Sequence, residues 1–410
     1  MIINMKKLSI LILFKGSAGE GDWLLPIVSK FSKKYNVFTY FKTKRAFSNF
    51  KENKIIYLKW KKINNKFYVD NFLRCFFWKI FRKIFIKLNI SYNSDFFNDK
   101  IHNINYLKKK FLENNNNNFF KFIFSEFNYP NSWYENALKN NDNSLVVHYP
   151  HSPFITFFKK KYKRKYKLNG DILLLNSKLD KKRWIDFIPE KKIFSFGIPR
   201  FDPIWVRKIL DFDKKTFKKN NKFIITIPYK SYFKTFPEKK TFLKNHFLEI
   251  IKVIMNNPKT VLYIKLHPRM RCEYSKKMIL DLSKKYPNRI ILTQKHLLNL
   301  AKFSDLFLCP TNSSTILDSI YFKTPTLQFQ IPIKNIDLKE NFNPYLEQKK
   351  ISIILRDLKE LKKIVKSLHK KKIDKRFKIQ QLRFKKYFEY KYSIQKIENF
   401  LELKYDKKFN

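Results

Sequence analysis

Two short polar elements in the C-terminal half carry the side chains that hold an anion. Lys265-Leu266-His267-Pro268 closes one apolar run, and Thr311-Asn312-Ser313-Ser314 follows Cys309-Pro310 at the end of another. A neutral imidazole donates one hydrogen bond to a phosphate or hydroxyl, and a protonated one adds a charge. Lys265 and Arg269 flank His267 and raise the local attraction for anions. Small hydroxyl residues opening a helix leave its first N–H groups facing a phosphate, and the helix dipole adds to the attraction. One Ser or Thr would suffice for capping, so four polar side chains in succession point to phosphate binding. Asp318, one turn on, either orients these hydroxyls or faces solvent.

A third candidate is His148-Tyr149-Pro150-His151-Ser152-Pro153, which places two of the seven histidines on a Pro-rich turn. Histidine is the usual general base for an acceptor hydroxyl, and the other member of the pair would then be structural. His102, His246, His296 and His369 sit in segments without convergent polar partners and read as surface or packing residues. No cluster has metal-ligand spacing, and neither a P-loop nor a GxSxG elbow is present.

These residues can act together only on elements that bring strand ends to one edge. Residues 8–14 form a continuous apolar run that predicts a buried parallel strand, followed by a turn at 15–22 and a helix over 24–31. Three of the five glycines, Gly16, Gly19 and Gly21, fall in that turn, where the backbone needs positive φ or close approach. Their spacing is not the GxGxxG dinucleotide fingerprint, so neither NAD nor FAD is expected. Short strands are predicted at 37–40 and 55–58. Residues 72–90 predict a basic amphipathic helix, its apolar side packed on the sheet or, as the alternative, laid on an anionic membrane. A polar loop at 114–118 precedes strands at 119–124, 144–147, 171–175 and 192–195, with a helix at 133–139. A second series then alternates strands at 223–227, 261–266, 289–292, 306–309, 326–329 and 351–355 with helices at 242–255, 276–285, 314–322 and 358–368.

Such alternation predicts an α/β fold of two Rossmann-like, doubly wound parallel-sheet domains facing a cleft. The boundaries read as 1–205 for an acceptor-side domain and 206–375 for a nucleotide-donor domain. A basic helical tail, 376–410, is expected to pack back on the first.

Composition bounds the alternatives. The 410 residues are 44% hydrophobic and 18% aromatic, enough for a large core. The net charge of +55 would suit a polyanionic partner. Yet Lys, Asn, Ile and Phe abound while Gly is scarce, as AT-rich coding sequence would produce, and the lysines are scattered. With no RNP, helix-turn-helix or zinc-finger pattern, a nucleic-acid partner is not expected. Cys75, Cys272 and Cys309 are far apart and odd in number, which fits a reducing compartment. No apolar stretch is long enough to span a bilayer, and Lys15 interrupts the first run, so a cytoplasmic protein is expected, with peripheral attachment to the inner membrane face as the alternative.

The set His151, Phe196 to Asp202 (FGIPRFD), Ile225 to Pro228, Lys265 to Pro268, and Asp305 through Ser313-Ser314 resembles the GT-B-type CDP-glycerol glycerophosphotransferases and related capsule or surface-polysaccharide transferases. The resemblance covers roughly residues 140 to 330 and rests on motif order. It implies a metal-independent transferase with no cofactor, a nucleotide-activated donor such as CDP-glycerol or a CMP- or UDP-sugar, and a polysaccharide or lipid-linked acceptor. By this resemblance His267 acts at the donor, and Ser313 and Ser314 bind its phosphates, with Arg200, Lys265, Thr311 and Asn312 alongside. His151 becomes the candidate base, although Ser152 follows it where the family has Gly, and His148 remains a rival. Gly19, Asp22, Asp202 and Asp318 fall to acceptor-side or supporting roles. Nucleotide-sugar 2-epimerases share the architecture and the Ser-Ser region and are the nearest enzymatic alternative; an inactive scaffold of the same fold is another.

Overall fold

The computed structural model describes residues 7–14, 18–69, 120–127, 143–150, 170–185, 188–212, 222–230, 239–267, 273–310, 313–329, 346, 349–355 and 357–409, together with 77, 80, 81, 83–85, 87 and 88. The described residues divide into two compact units: the first comprises those up to Asp202 and from Tyr390 onward, and the second those from Pro203 to Glu389.

The first unit is built on seven strands: β1 (Ser9–Phe14), β2 (Asn36–Phe41), β3 (Asn64–Val69), β4 (Phe120–Glu126), β5 (Leu145–Tyr149), β6 (Ile172–Leu175) and β7 (Ile193–Ser195). Their order is β3-β2-β1-β4-β5-β6-β7, and every pairing is parallel. β1, β4 and β5 are buried along their whole length, which explains why β1 reads as a continuous apolar run without alternation. Helix α1 (Ala18–Phe31) starts six residues before the predicted 24, so Gly19, Gly21 and Asp22 lie in the helix and not in a turn. Close approach is what Gly21 supplies: a Cβ there would sit 2.4 Å from Phe50 Cε2 and 2.9 Å from Ile56 Cγ2. Helices α2 (Lys44–Lys51) and α3 (Lys54–Ile63) follow. The strand predicted at 55–58 is therefore corrected to a helix. Ile55, Ile56 and Trp60 face inward at helical spacing, and a four-residue apolar run could not distinguish the two periods. The stripe at 72–90, expected to pack inward, is instead exposed at the described positions Phe77, Ile80, Phe81, Ile84 and Leu88. The predicted helix at 133–139 and loop at 114–118 lie outside the described residues.

After helix α4 (Lys178–Trp184) and β7, helix α5 (Pro203–Leu210) opens the second unit. Its strands are β8 (Phe223–Tyr229), β9 (Thr260–Leu266), β10 (Ile290–Leu292), β11 (Leu306–Pro310), β12 (Thr326–Phe329) and β13 (Ile354–Leu355). Between them run α6 (Lys240–Met255), α7 (Glu273–Lys285), α8 (Leu297–Phe303) and α9 (Ile316–Tyr321), and α10 (Leu358–His369) and α11 (Lys375–Tyr387) follow the last strand. The order β10-β9-β8-β11-β12-β13 is again wholly parallel. Ile225, Ile227, Leu262, Ile264, Leu306 and Leu308 from its central strands share one core with Phe247, Ile251 and Ile254 of α6.

The last helix, α12 (Ser393–Phe409), belongs to the first unit. Asp202 Oδ2 accepts the Ile394 N–H at 3.3 Å and so caps its first turn. Lys34 pairs with Glu398 at 3.2 Å, while Glu402 accepts from the Tyr35 hydroxyl at 2.6 Å and from Lys121 at 2.8 Å. Burial, reinforced by Glu402, pushes the Tyr35 phenol well above its ordinary pKa, so it stays a donor.

One histidine makes the second unit sensitive to acid. The His369 ring lies 4.0 Å from that of Phe223, and its Nε2 is 3.2 Å from Thr260 Oγ1. Burial lowers its pKa from the ordinary 6.5, with Asp305 opposing and Lys259 reinforcing the shift. Below 6.5 the unfolded chain takes up this proton more readily than the folded one, so this group's contribution to stability is fully present above that pH and is lost as pH falls through the folded value. The urea midpoint of the second unit is expected to be lower at about pH 5 than at about pH 7.5, and His369→Gln to shrink the difference. An unchanged difference in the variant would assign the effect to other groups.

Candidate functional site

In each sheet the strand order reverses beside the first strand of its series, between β1 and β4 and between β8 and β11. At such a switch point two crossovers depart to opposite faces and leave a crevice beyond the carboxyl ends of the strands. In the second unit that edge carries the predicted donor residues. His267 leaves β9 with its backbone N–H donating to Tyr229 O at 2.9 Å, which ties it to the end of β8. Lys230, the next residue along, stands between the chain leaving β9 and the chain leaving β11, a span of roughly 10 Å for strands two apart. Burial lowers the Lys230 pKa, so its ammonium gains from an anion more than a solvated one would. Sequence reasoning missed this residue; the signal was a lysine directly after the buried run 224–229.

Beyond β11, Ser313 Oγ bonds Thr315 Oγ1 at 2.7 Å, and Cys309 Sγ lies 3.4 Å from the same hydroxyl. Thr315 is a second residue that sequence reasoning passed over, although it continues the Ser313-Ser314 run. Helix α9 begins at Ile316, two residues later than predicted, because Ser313 Oγ takes the Thr315 N–H at 3.4 Å and holds a turn where the helix would have started. Asp318 is buried, not solvent-facing. Burial pushes the Cys309 thiol up, so it is protonated near neutrality and does not serve as a nucleophile. Lys265 donates its ammonium to Gln294 O at 3.0 Å, across the sheet towards β10. Thr311, Asn312 and Arg269 lie outside the described residues.

In the first unit the structure places the predicted residues in two groups. His148 is an interior strand residue, with Nδ1 3.0 Å from Ser125 Oγ of β4 and its ring against Gly170, where a Cβ would come within 2.4 Å of Cδ2. Next to it the Tyr149 hydroxyl donates to Asn176 Oδ1 at 2.5 Å, and burial, with Asp180, holds that phenol protonated. The second group joins the FGIPRFD element to α1. Gly197 adopts φ 90°, a conformation that favours glycine, and the chain then makes a short 3₁₀ turn, Pro199–Phe201. Arg200 is buried, its Nη1 3.4 Å from Asp22 Oδ2 and its guanidinium 5.6 Å from the Trp23 ring centre. Asn53 Nδ2 donates to the same Asp22 oxygen at 3.3 Å. Asp22, Arg200 and Asp202 thus make internal contacts of the first unit, and Gly19 lies beside them in α1. His151 lies outside the described residues. Among the described residues no group of three His, Cys, Asp or Glu side chains is placed to hold a metal ion.

No protein-family model matches this chain, and no curated protein matches it. Solved structures do. The UDP-GlcNAc 2-epimerase from Neisseria meningitidis, bound to UDP-GlcNAc, superposes with TM-score 0.58 at 13% identity, covering 96% of this chain and 99% of its own. MnaA of S. aureus, in a structure with UDP, gives 0.60 at 11%, covering 97% of both chains. The wall teichoic acid polymerase TagF, in a structure soaked with CDPG, gives 0.59 at 15%, covering 99% of this chain and 90% of its own. At these identities the likeness is one of fold, and the fold is GT-B-like: two α/β units, each on a wholly parallel, doubly wound sheet. No described helix is long and apolar enough to cross a membrane.

Proposed function

We propose that this chain is a metal-independent transferase that moves a glycosyl or glycerophosphoryl group from a nucleotide-activated donor to a hydroxyl in surface-polysaccharide synthesis. The observation that carries this reading is the edge of the second sheet, where His267, Lys230 and the Ser313 to Thr315 turn follow three adjacent strands at the switch point. In this reading His267, Ser313 and Ser314, with Thr311 and Asn312, hydrogen-bond the donor phosphates. Lys230 adds the charge that stabilises the nucleotide as it leaves. His151 takes the proton of the acceptor hydroxyl while its oxygen forms the new bond to the transferred group. Arg200 and Lys265, expected beside the phosphates, take supporting roles in this reading, because Arg200 pairs with Asp22 and Lys265 donates to Gln294 O. The acceptor would be a polysaccharide or a lipid-linked sugar on the cytoplasmic side, where nucleotide-activated donors are found.

The likeness to 2-epimerases favours a second reading, in which the same site binds a nucleotide sugar and inverts a centre of the sugar with no acceptor. Release of nucleotide that depends on an acceptor distinguishes the first reading from the second. The test common to both is a thermal-shift screen with CDP-glycerol, CMP-linked and UDP-linked donors. A donor present at about a hundred times its dissociation constant stabilises the folded state by about 2.7 kcal/mol, and one class is expected to raise the melting temperature accordingly. Failure of every class to shift it at millimolar concentration would remove the donor-site reading.

A further inference from the structure

The first unit carries an outward-facing apolar stripe that the proposed donor chemistry does not use. At its described positions between 77 and 87 the chain is helical, and the Leu88 N–H closes on Ile84 O at 2.9 Å. Phe77 is 55% exposed, Ile80 40%, Phe81 37%, Ile84 45% and Leu88 61%. These residues recur at i, i+3, i+4, i+7 and i+11, so they share one side of the helix. Large apolar residues scattered singly over a surface need no explanation, but five in one row do. The segment follows β3, the edge strand of its sheet, where Phe67 is also 44% exposed.

The charge around the stripe names the partner. Residues 71–90 contain Arg74, Lys79, Arg82, Lys83 and Lys87 and no Asp or Glu. Lys83 and Lys87 are both exposed. A helical row of exposed aromatic and aliphatic residues, in a stretch of sequence with basic residues, no acidic one and too little apolar length to cross a bilayer, matches the boundary between headgroups and acyl chains. A protein groove would satisfy the apolar row but would leave five cations to be matched singly. A bilayer rich in anionic lipid meets both at once.

We propose that Phe77, Ile80, Phe81, Ile84 and Leu88, with Lys83 and Lys87, form a docking surface for an anionic membrane, the apolar row entering the interface and the lysines lying at headgroup level. The proposal is independent of which group the chain transfers. Because the net charge of +55 alone draws the protein to any anionic surface, the deciding variant removes apolar side chains and keeps every charge. The full chain is to be floated with vesicles of phosphatidylcholine alone and of phosphatidylcholine with about 30% phosphatidylserine, at low and high salt. Wild type is expected to bind the mixed vesicles at least tenfold better. The triple variant Phe81→Ser, Ile84→Ser, Leu88→Ser is expected to lose at least tenfold in that binding while keeping its circular dichroism and melting temperature. Lys83→Glu with Lys87→Glu is expected to cost more than tenfold, since each cation near such a surface is worth roughly fivefold. Binding by the triple variant equal to wild type would overturn the proposal, leaving only diffuse charge attraction. An unfolded triple variant would also overturn it, because the row would then be core, and so would conversion of a wild-type dimer to a monomer in the variant.

Discussion

Replacing Arg200 by methionine is expected to lower the unfolding free energy of the first unit by about 3–5 kcal/mol, the usual cost of stranding one member of a buried ion pair. Asp22 is almost inaccessible, and the guanidinium 3.4 Å away supplies the opposite charge that offsets its desolvation. Methionine keeps much of the volume and the contact with Trp23 but none of the charge. Trp23, Trp60 and Trp184 are buried in this unit, so tryptophan fluorescence in urea follows its unfolding. Removing both members, as Asp22→Leu with Arg200→Met, is expected to recover most of the loss, because neither charge of the pair is then left buried without the other. A loss below about 1 kcal/mol in the single variant would put the pair in the class of solvent-screened surface bridges and sink the argument.

The second large effect concerns the donor site. His267→Ala, the pair Ser313→Ala with Ser314→Ala, and Lys230→Met are each expected to weaken binding of the donor found by thermal shift by about ten- to a hundredfold, since a hydrogen bond to a charged group contributes about 1.5–3 kcal/mol. Stability should change little for His267→Ala, and by about 1 kcal/mol for the serine pair, which loses the Ser313 bonds to Thr315. The backbone bond from His267 to Tyr229 survives the loss of the imidazole, and Ser313 and Ser314 lie in a turn ahead of α9, not inside the helix. Lys230→Met removes a desolvated cation and should also flatten the salt dependence of binding. Calorimetric affinities unchanged across all three variants would place the donor elsewhere.

How much of this was legible in the chain varies with the physics of each segment. The fully buried strands β1 and β11 announce themselves as nearly unbroken apolar runs, because a parallel strand covered on both faces has no solvent side to mark. Residues 55–58 read as a strand in sequence but lie in a helix, because Ile55 and Ile56 are adjacent and a short apolar run satisfies either period. The turn at Gly19 and Gly21 was misread because glycine suggests a bend, whereas Gly21 serves to let Phe50 and Ile56 approach a helix. Residues 72–90 show a helical stripe in sequence, but the stripe is the same whether it meets a core or a lipid surface. Only its exposure discriminates.

The candidate site divides along a similar line. Periodicity and motif order by themselves determined that two wholly parallel sheets follow one another, and that His267 and Ser313 stand just past strand ends, because both are local properties of consecutive residues. Which strands lie side by side is not local. The adjacency β9-β8-β11 brings Lys230 between His267 and the Ser313 turn although no spacing in the chain relates the three. The same holds for Arg200 and Asp22, two charged residues far apart in sequence that the fold sets within 3.4 Å of each other, so that each offsets the burial of the other. Sequence determines what each segment can bury; the tertiary structure alone decides which distant charge makes that burial affordable, because desolvation is local whereas the compensating partner arrives only through folding.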